Sequence, residues 1–411
     1  MSPMRWLPAL VLSAAAGSAS AGPLTFGEAL ARASATAPSL QAEGLRVEAA
    51  RAEARAAGAL PDPRLTLGLE NVPISGPMAG RLGGDEMTMA RIGIMQDMPS
   101  GAARRALGVR ARAGIGAAEA GQRAQARTVK VETALAWIDL YFAERRLAVL
   151  DDIVTTIEPV LETAPASVAA GETRPGQAVE PAQVMADFAD RRSELAAEAG
   201  KARAALMRWT GDADPRPEGP TPIFEVDAEA LRAALASHPT LLAIDAAAGQ
   251  ADADLGVARA GKRPDWSWEV AYQRRDPMFG DMVSAGVTMS LPIFAGRRQD
   301  PVIAARAKDA SRVRIEREAA RRELTAQLEA DLADHVMHHE QMMRSHETLV
   351  PLARKRADLE TASYGAGRAG LMEVAGAFTA LADARLEALD REAATARDAA
   401  RLVLTYGSDD R

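Results

Sequence analysis

The chain has 411 residues, a formal net charge of -7 and an aromatic content of 4%. The acidic balance argues against nucleic acid as a partner, and the low aromatic content argues against several large independent cores. Cysteine is absent, so the chain can form no disulfide.

The first residues have the features of a secretory signal peptide. Arg5 supplies a positive charge, residues 6–17 are almost wholly apolar, and residues 19–21 read Ala-Ser-Ala, a small-residue cleavage site. We assign residues 1–21 to this signal and expect Gly22 to become the new N-terminus. No later stretch reaches the roughly 18 uncharged apolar residues that a membrane-spanning helix needs. The sequence therefore predicts export and excludes a helical inner-membrane protein.

The remainder of the chain is internally duplicated. A first repeat covers residues 22–211 and a second covers residues 226–411, with residues 212–225 as a linker. Each repeat is predicted to contain, in order, a helix, a β-hairpin, a long helix, a turn and another long helix. Both repeats end in a 41-residue stretch between glycines, from Gly171 to Gly211 and from Gly367 to Gly407.

The two hairpins are predicted over residues 64–98 and 265–292, because apolar and polar side chains alternate there with the period of a half-buried strand. Residues 86–98 alternate less regularly than the other three strands. Prolines bracket each hairpin, where their fixed backbone ends regular structure. The apolar members of the alternation are Leu65, Leu67 and Leu69, then Trp266, Trp268, Val270 and Tyr272, and finally Val283, Ala285, Val287, Met289 and Leu291.

Four strands cannot close a barrel, and an open sheet edge is not viable in lipid because its backbone groups lack water. We therefore expect several chains to share one barrel. The loop over residues 71–85 is rich in Gly and Pro, as are the surface loops of outer-membrane barrels. The alternative is a soluble two-hairpin sheet packed on helices.

Two stretches predict unusually long helices. Residues 102–164 contain no proline before Pro159, and residues 302–350 contain none. At 1.5 Å per residue, about 55 residues form a helix roughly 80 Å long, which no globular core could enclose. Small and apolar residues also repeat in steps of three or four near the C-terminus, which predicts a coiled-coil seam. They are Leu371, Val374, Phe378, Ala382, Leu386, Leu389, Ala393, Ala396, Ala400 and Val403.

The arrangement resembles the TolC-type outer-membrane efflux proteins, in particular the CzcC-like branch that serves heavy-metal exporters. The duplication carries this resemblance, together with the Leu-Pro-Ile-Phe-Ala-Gly junction at residues 291–296 and the segment from Tyr364 to Val374. It implies a mixed α/β membrane channel that is mainly α. Each protomer of a homotrimer would add four strands to a shared 12-stranded outer-membrane β-barrel, which stands above a long-helix periplasmic α-barrel.

The resemblance also implies a function and partners. The channel would be the passive exit duct of a tripartite efflux system, docked onto a periplasmic adaptor and an inner-membrane pump. The resemblance does not fix the cargo, for which heavy-metal ions are one candidate. Conduction of this kind requires no catalytic group and no cofactor.

A periplasmic gate is implied in the same way. Glu373 resembles an acidic position that lines the closed entrance of such channels, and Tyr364 resembles a tyrosine that holds the entrance shut. The chain departs from the pattern at Ala369, where an arginine is expected, and at Gly376, where a second acidic ring is expected. The alternatives are a solvated carboxylate favoured by the helix dipole for Glu373, and ordinary packing for Tyr364.

Four of the five histidines fall in one segment of a predicted helix. Imidazole and thioether groups would suit copper(I), silver or zinc, so the segment is a candidate metal site. The alternative is the polar face of a long periplasmic helix. The side chains that share one face are His335, His338, His339, Met342 and His346.

Three classes of function remain: an exit duct, a periplasmic coiled-coil adaptor and an exported enzyme. An adaptor needs a lipoyl-like β domain between paired helices, whereas this chain has two equivalent hairpins at corresponding places. An enzyme needs a convergent polar site, and the sequence shows no Ser-His-Asp order and no phosphate loop. We therefore predict the exit duct, located in the outer membrane with a long periplasmic extension.

Overall fold

The computed structural model describes residues 22–162 and 179–408, which are mainly α-helical. The proposed signal peptide lies outside the described residues. The helices are α1 (Phe26–Thr36), α2 (Pro38–Ala56), α3 (Gly101–Leu161), α4 (Glu180–Thr210), α5 (Ala228–Ala234), α6 (Pro239–Ala260), α7 (Ala295–Arg344), α8 (Val350–Gly365) and α9 (Leu371–Tyr406). The strands are β1 (Pro23–Leu24), β2 (Arg64–Glu70), β3 (Met89–Met98), β4 (Arg216–Pro217), β5 (Trp266–Arg274) and β6 (Met282–Met289).

The predicted order of elements occurs twice. In the first half a helix, α2, is followed by strands β2 and β3 and by helices α3 and α4. In the second half α6 is followed by β5 and β6, by α7 with α8, and by α9. The boundaries drawn for the two repeats and the linker stay a prediction.

The predicted end points of the second long helix were wrong. Helical structure begins seven residues before Val302, includes Pro301, and continues to Gly365 through a π-helical turn at Ser345–Leu349. In this turn the backbone N–H of Val350 donates to the carbonyl of Ser345, five residues earlier. The wider turn lets the helix continue past Pro351, whose nitrogen has no hydrogen to donate.

The two hairpins form a single antiparallel sheet with the strand order β2-β3-β5-β6. The central strands β3 and β5 join the hairpins, and β2 and β6 are the edges. Residues 89–98 form a regular strand despite their irregular alternation, because both neighbours pair with them. Gly93, for example, pairs with Thr66 on one side and with Ala271 on the other.

Contacts divide the described chain into two compact units, and each draws on both halves of the sequence. The helical unit contains residues 22–37, 129–162, 179–226 and 331–404. The sheet unit contains residues 38–128, 227–330 and 405–408. None of the described helices combines the length and the apolar content that a bilayer crossing requires.

The helical unit has an extensive apolar core. One cluster gathers side chains from four helices, among them Ile153 of α3, Phe188 of α4, Ala357 of α8 and Phe378 of α9. A second cluster surrounds the fully buried Trp137. Several positions of the predicted seam on α9 are buried in these clusters, namely Val374, Phe378, Ala382, Leu389 and Ala400.

Candidate functional site

One face of the four-stranded sheet is apolar and exposed. A single row of the register crosses all four strands from Leu67 through Ile92 and Tyr272 to Val283. These side chains are 71%, 46%, 43% and 70% exposed, respectively. The alternation seen in the sequence is therefore confirmed, but the apolar face has no covering layer within the described chain. An exposed apolar patch of this extent marks a contact with a membrane or with another protein.

The opposite face of the sheet is polar and organised by a charged group on its central strand. Arg91 donates to a carboxylate oxygen of Glu70 on β2 at 2.6 Å and to one of Glu269 on β5 at 2.7 Å. A second pair on this face joins Arg64 to Asp97. The sheet thus has a polar face suited to contact with water and an apolar face suited to contact with lipid.

The loops at one end of the sheet contact each other through Asp276. Its carboxylate accepts hydrogen bonds from the backbone N–H of Gly84 at 2.9 Å and of Met278 at 3.1 Å. The bonds from Met278 and Gly84 lower the pKa of Asp276 below its usual range. The two loops that follow β2 and β5 are therefore fixed to one another.

The two predicted gate residues lie on either side of the turn between α8 and α9. Gly367 has a φ of 68°, its N–H donates to the carbonyl of Tyr364, and the N–H of Arg368 donates to the carbonyl of Ser363, both at 2.9 Å. This bonding pattern is a Schellman motif, which requires a left-handed residue after the helix. Glycine meets that requirement without steric cost.

Glu373 and Tyr364 have different surroundings at this turn. Glu373 lies in the first turn of α9 and is exposed, with its carboxylate folded over Gly370. A Cβ atom at position 370 would lie only 2.5 Å from Oε2 of Glu373. Tyr364 is half-buried and packs on the cluster that contains Phe378. The gate roles of both residues stay a prediction.

Two side chains of the histidine segment contact different carboxylates of α9, and the other two histidines lie next to each other. Nδ1 of His338 lies 2.7 Å from a carboxylate oxygen of Asp398, and Nε2 of His346 lies 2.7 Å from one of Glu392. The rings of His335 and His339 are 6.3 Å apart, centre to centre. Burial lowers the pKa of His335 below its ordinary value.

These contacts bear on the candidate metal site. Across residues 22–162 and 179–408 there is no group of three or more His, Asp or Glu side chains that could hold a metal ion. Metal binding at His335, His338, His339, Met342 and His346 stays a prediction.

Sequence reasoning missed the role of Arg91. The available signal was the alternation of Arg91 and Asp97 with Ile92 and Ile94, which sets charged and apolar residues on opposite faces of β3. It did not reveal the carboxylate partners, because Glu269 lies far away in the sequence.

Comparison with known proteins agrees with this architecture. Residues 230–408 match the family model described as "Outer membrane efflux protein". This efflux-protein match covers α6, the second hairpin and the helices after it. Among curated proteins, none matches the chain.

Solved structures resemble nearly the whole chain. A membrane protein from Pseudomonas aeruginosa is 18% identical, with a TM-score of 0.80 over 93% of both chains. CusC, whose structures concern transmembrane channel formation, is 16% identical, with a TM-score of 0.77 over 93% of this chain and 92% of its own. The outer membrane protein VceC from Vibrio cholerae is 19% identical, with a TM-score of 0.73 over 93% and 96%.

At these identities the likeness establishes the fold. The predicted fold class is therefore confirmed: the chain is mainly α, and its long helices accompany four strands of the kind that outer-membrane efflux channels assemble into a barrel.

Proposed function

We propose that the chain is one protomer of a homotrimeric outer-membrane channel, the passive exit duct of a tripartite efflux system. The observation that carries this proposal is the sheet with one exposed apolar face and one polar face. In a barrel wall the apolar face would contact lipid and the polar face would line the aqueous lumen. Lipid contact would cover the row from Leu67 to Val283, which the single chain leaves exposed.

The sheet edges explain why several copies are needed. Strands β2 and β6 each leave one row of backbone N–H and C=O groups without a strand partner in the described chain. Such groups cannot remain unpaired in hydrocarbon. Pairing β6 of one protomer with β2 of the next satisfies both edges, and three protomers close a barrel of 12 strands, as in the efflux channels that the chain resembles.

Exposed apolar residues on the helical unit also favour assembly. Along α7 and α8 the exposed side chains include Val336, Met343, Leu352 and Leu359. Two of the intervals in this set are seven residues, the spacing of positions on one face of packed helices. A neighbouring protomer would cover this stripe.

The finer assignments are supported by the efflux-protein match and by the resemblance at residues 291–296. We infer that an adaptor and an inner-membrane pump deliver substrate to the duct, and that the long helices lie in the periplasm. We also infer a CzcC-like role with heavy-metal ions as cargo, which the His and Met side chains on α7 favour chemically. The alternative, a periplasmic adaptor, fits less well because the channel-like fold extends over 93% of the chain.

The proposal is tested with the full chain in detergent and in planar bilayers. Light scattering, corrected for bound detergent, should give the mass of a trimer, and reconstituted protein should produce step-like conductance. A closed gate could hide conduction, so Tyr364→Phe is measured in parallel and should raise the open probability. A monodisperse monomer, or trimers of both proteins without conductance steps, would contradict the proposal.

The proposed gate is tested separately. Three copies of Glu373 around a narrow axis would concentrate cations, because low-dielectric walls focus the field. Glu373→Gln should therefore reduce the preference for cations under a salt gradient. The matched control is Glu316→Gln on α7, which removes the same charge from an exposed residue paired with Arg312 of its own helix. Identical reversal potentials for wild type and Glu373→Gln would refute the gate assignment.

A further inference from the structure

The charged group on the polar face of the sheet contains unequal numbers of cations and anions. Arg91 on β3 is the cation, and Glu70 and Glu269 on the two adjacent strands are its carboxylate partners. Each terminal nitrogen of the guanidinium contacts a different carboxylate, so one cation is shared between two anions. The other charged side chains of the strands on this face, Arg64 and Asp97, form a neutral pair. Each protomer therefore has one excess negative charge on this face.

The local backbone is built to permit this contact. Gly93 lies two residues after Arg91 on the same face of β3, next to Thr66 and Ala271 in the register. A Cβ atom at this position would lie 2.8 Å from Oγ1 of Thr66, 3.0 Å from Cβ of Ala271 and 3.3 Å from Oε1 of Glu269. Any larger residue would push against the carboxylate that reaches across to Arg91. Glycine thus leaves the space through which Glu269 approaches.

We propose that Glu70, Arg91 and Glu269 form a charge belt in the barrel lumen that makes the channel prefer cations independently of the periplasmic gate. The inference rests on the proposed function, because three protomers must face the same lumen. Threefold repetition would place three excess carboxylate charges around the barrel wall. Rings of fixed charge raise the local concentration of the oppositely charged ion.

The distance over which the charge belt influences ions depends on the screening of its charges by salt. The Debye length is about 30 Å at 0.01 M salt and about 3 Å at 1 M. A belt on the wall of a wide barrel therefore influences ions on the axis at low salt and loses this influence at high salt. This dependence distinguishes the belt from a narrow gate, whose carboxylates contact the permeating ion directly.

The test measures reversal potentials under potassium chloride gradients in planar bilayers. Glu269→Gln and Glu70→Gln each remove the excess charge and should lower the cation-to-anion permeability ratio by about twofold at about 10 mM salt. Arg91→Gln leaves two carboxylates without their cation and should raise the ratio. All three shifts should vanish near 1 M salt. Glu316→Gln on α7 serves as the charge-matched control outside the sheet and should not shift the ratio.

The outcomes separate the belt from the channel itself. Trimers that conduct, with reversal potentials equal to wild type in both Glu→Gln variants at low salt, would overturn the belt while leaving the duct intact. The absence of conductance from wild type and Tyr364→Phe would overturn the duct. If Arg91→Gln fails to assemble, the two Glu→Gln variants still decide the proposal, since each removes one anion and leaves a neutral ion pair.

Discussion

The helical unit buries large apolar side chains, whereas the sheet of the sheet unit leaves them exposed. Trp137 in the helical unit is fully buried, and its indole N–H donates to the carbonyl of Leu24 at 2.8 Å. On the sheet, Leu67 and Val287 are each 71% exposed. The helical unit therefore buries its apolar side chains within one chain, whereas the described chain leaves the apolar face of the sheet uncovered. This contrast supports the proposal that the sheet is the part of the molecule that contacts lipid.

Charged side chains show the converse pattern. In the helical unit they form pairs on the outside of the core, such as Arg192 with Asp151 at 2.7 Å. On the four strands, the charged side chains other than Arg274 at the end of β5 lie on the face of Arg91, opposite the apolar row. The sheet therefore has one polar and one apolar face, and in the proposed barrel the polar face would line the lumen.

The largest effect is expected from truncating the helical core. Trp137→Ala should reduce the free energy of unfolding by about 3–5 kcal/mol, because it leaves a cavity and removes the donor to Leu24. Leu67→Ala loses part of the transfer free energy of the side chain to detergent but leaves no internal cavity, so it should cost less, about 1–2 kcal/mol. Guanidinium titrations followed by circular dichroism in detergent would measure both. Equal losses would refute the contrast between the two units.

The next effect concerns the two faces of one strand. Val287→Arg places a charge on the apolar face and should cost about 2–4 kcal/mol if that face meets the middle of a bilayer. Thr288→Arg places the same side chain on the polar face of β6, one residue away. The fraction of trimer recovered from outer membranes should fall for Val287→Arg and stay near wild type for Thr288→Arg. Equal recovery of the two variants would show that the face opposite Arg91 does not contact lipid.

The sequence predicted the elements of both units because their periodicities are local. Alternation between Trp266 and Tyr272 predicts a strand without reference to any other part of the chain. Likewise, proline-free stretches predicted long helices, although the end points near Pro301 and Pro351 were wrong. A proline does not end a helix when a wider turn accommodates it, and no local pattern indicates such a turn at Ser345–Leu349.

Local sequence patterns did not predict contacts between residues that are distant in the sequence. Arg91 and Glu269 meet because β3 pairs with β5, and nothing in the local pattern of either strand specifies that pairing. Trp137 was not predicted to hold the N-terminal strand at Leu24, since the two residues are 113 positions apart. For Glu373 the sequence predicted the position at the start of α9. The proposed ring of Glu373 side chains would need the other two protomers of the trimer, and a pattern within one chain does not specify where those protomers lie.

The smallest expected effect is a dependence of stability on pH in the sheet unit, arising from a buried polar group. His238 precedes α6, and its Nδ1 accepts a hydrogen bond from the backbone N–H of Thr240 at 3.2 Å. This cap requires an unprotonated Nδ1. Burial, with a contribution from Arg127, lowers the pKa of His238 below its ordinary value. The folded chain therefore resists protonation at this ring.

The sign of the effect follows from this shift. A histidine in the unfolded chain titrates near pH 6.5. Below that pH the unfolded state binds a proton that folded His238 does not bind. The contribution of His238 to the free energy of unfolding is therefore fully present above about pH 6.5 and decreases as the pH falls towards the lowered pKa of the folded state. His238→Ala should cost about 1 kcal/mol at neutral pH through loss of the cap. His238→Asn keeps a capping side chain but does not titrate.

The decisive comparison is between wild type and His238→Asn, unfolded in guanidinium at about pH 7.5 and about pH 5.5. The other four histidines are the same in both proteins, so their titration cancels in the difference. Wild type should lose more stability than His238→Asn on acidification. If both lose the same amount, the ring of His238 is not held unprotonated in the folded chain, and the predicted contribution of this cap to the pH dependence is refuted.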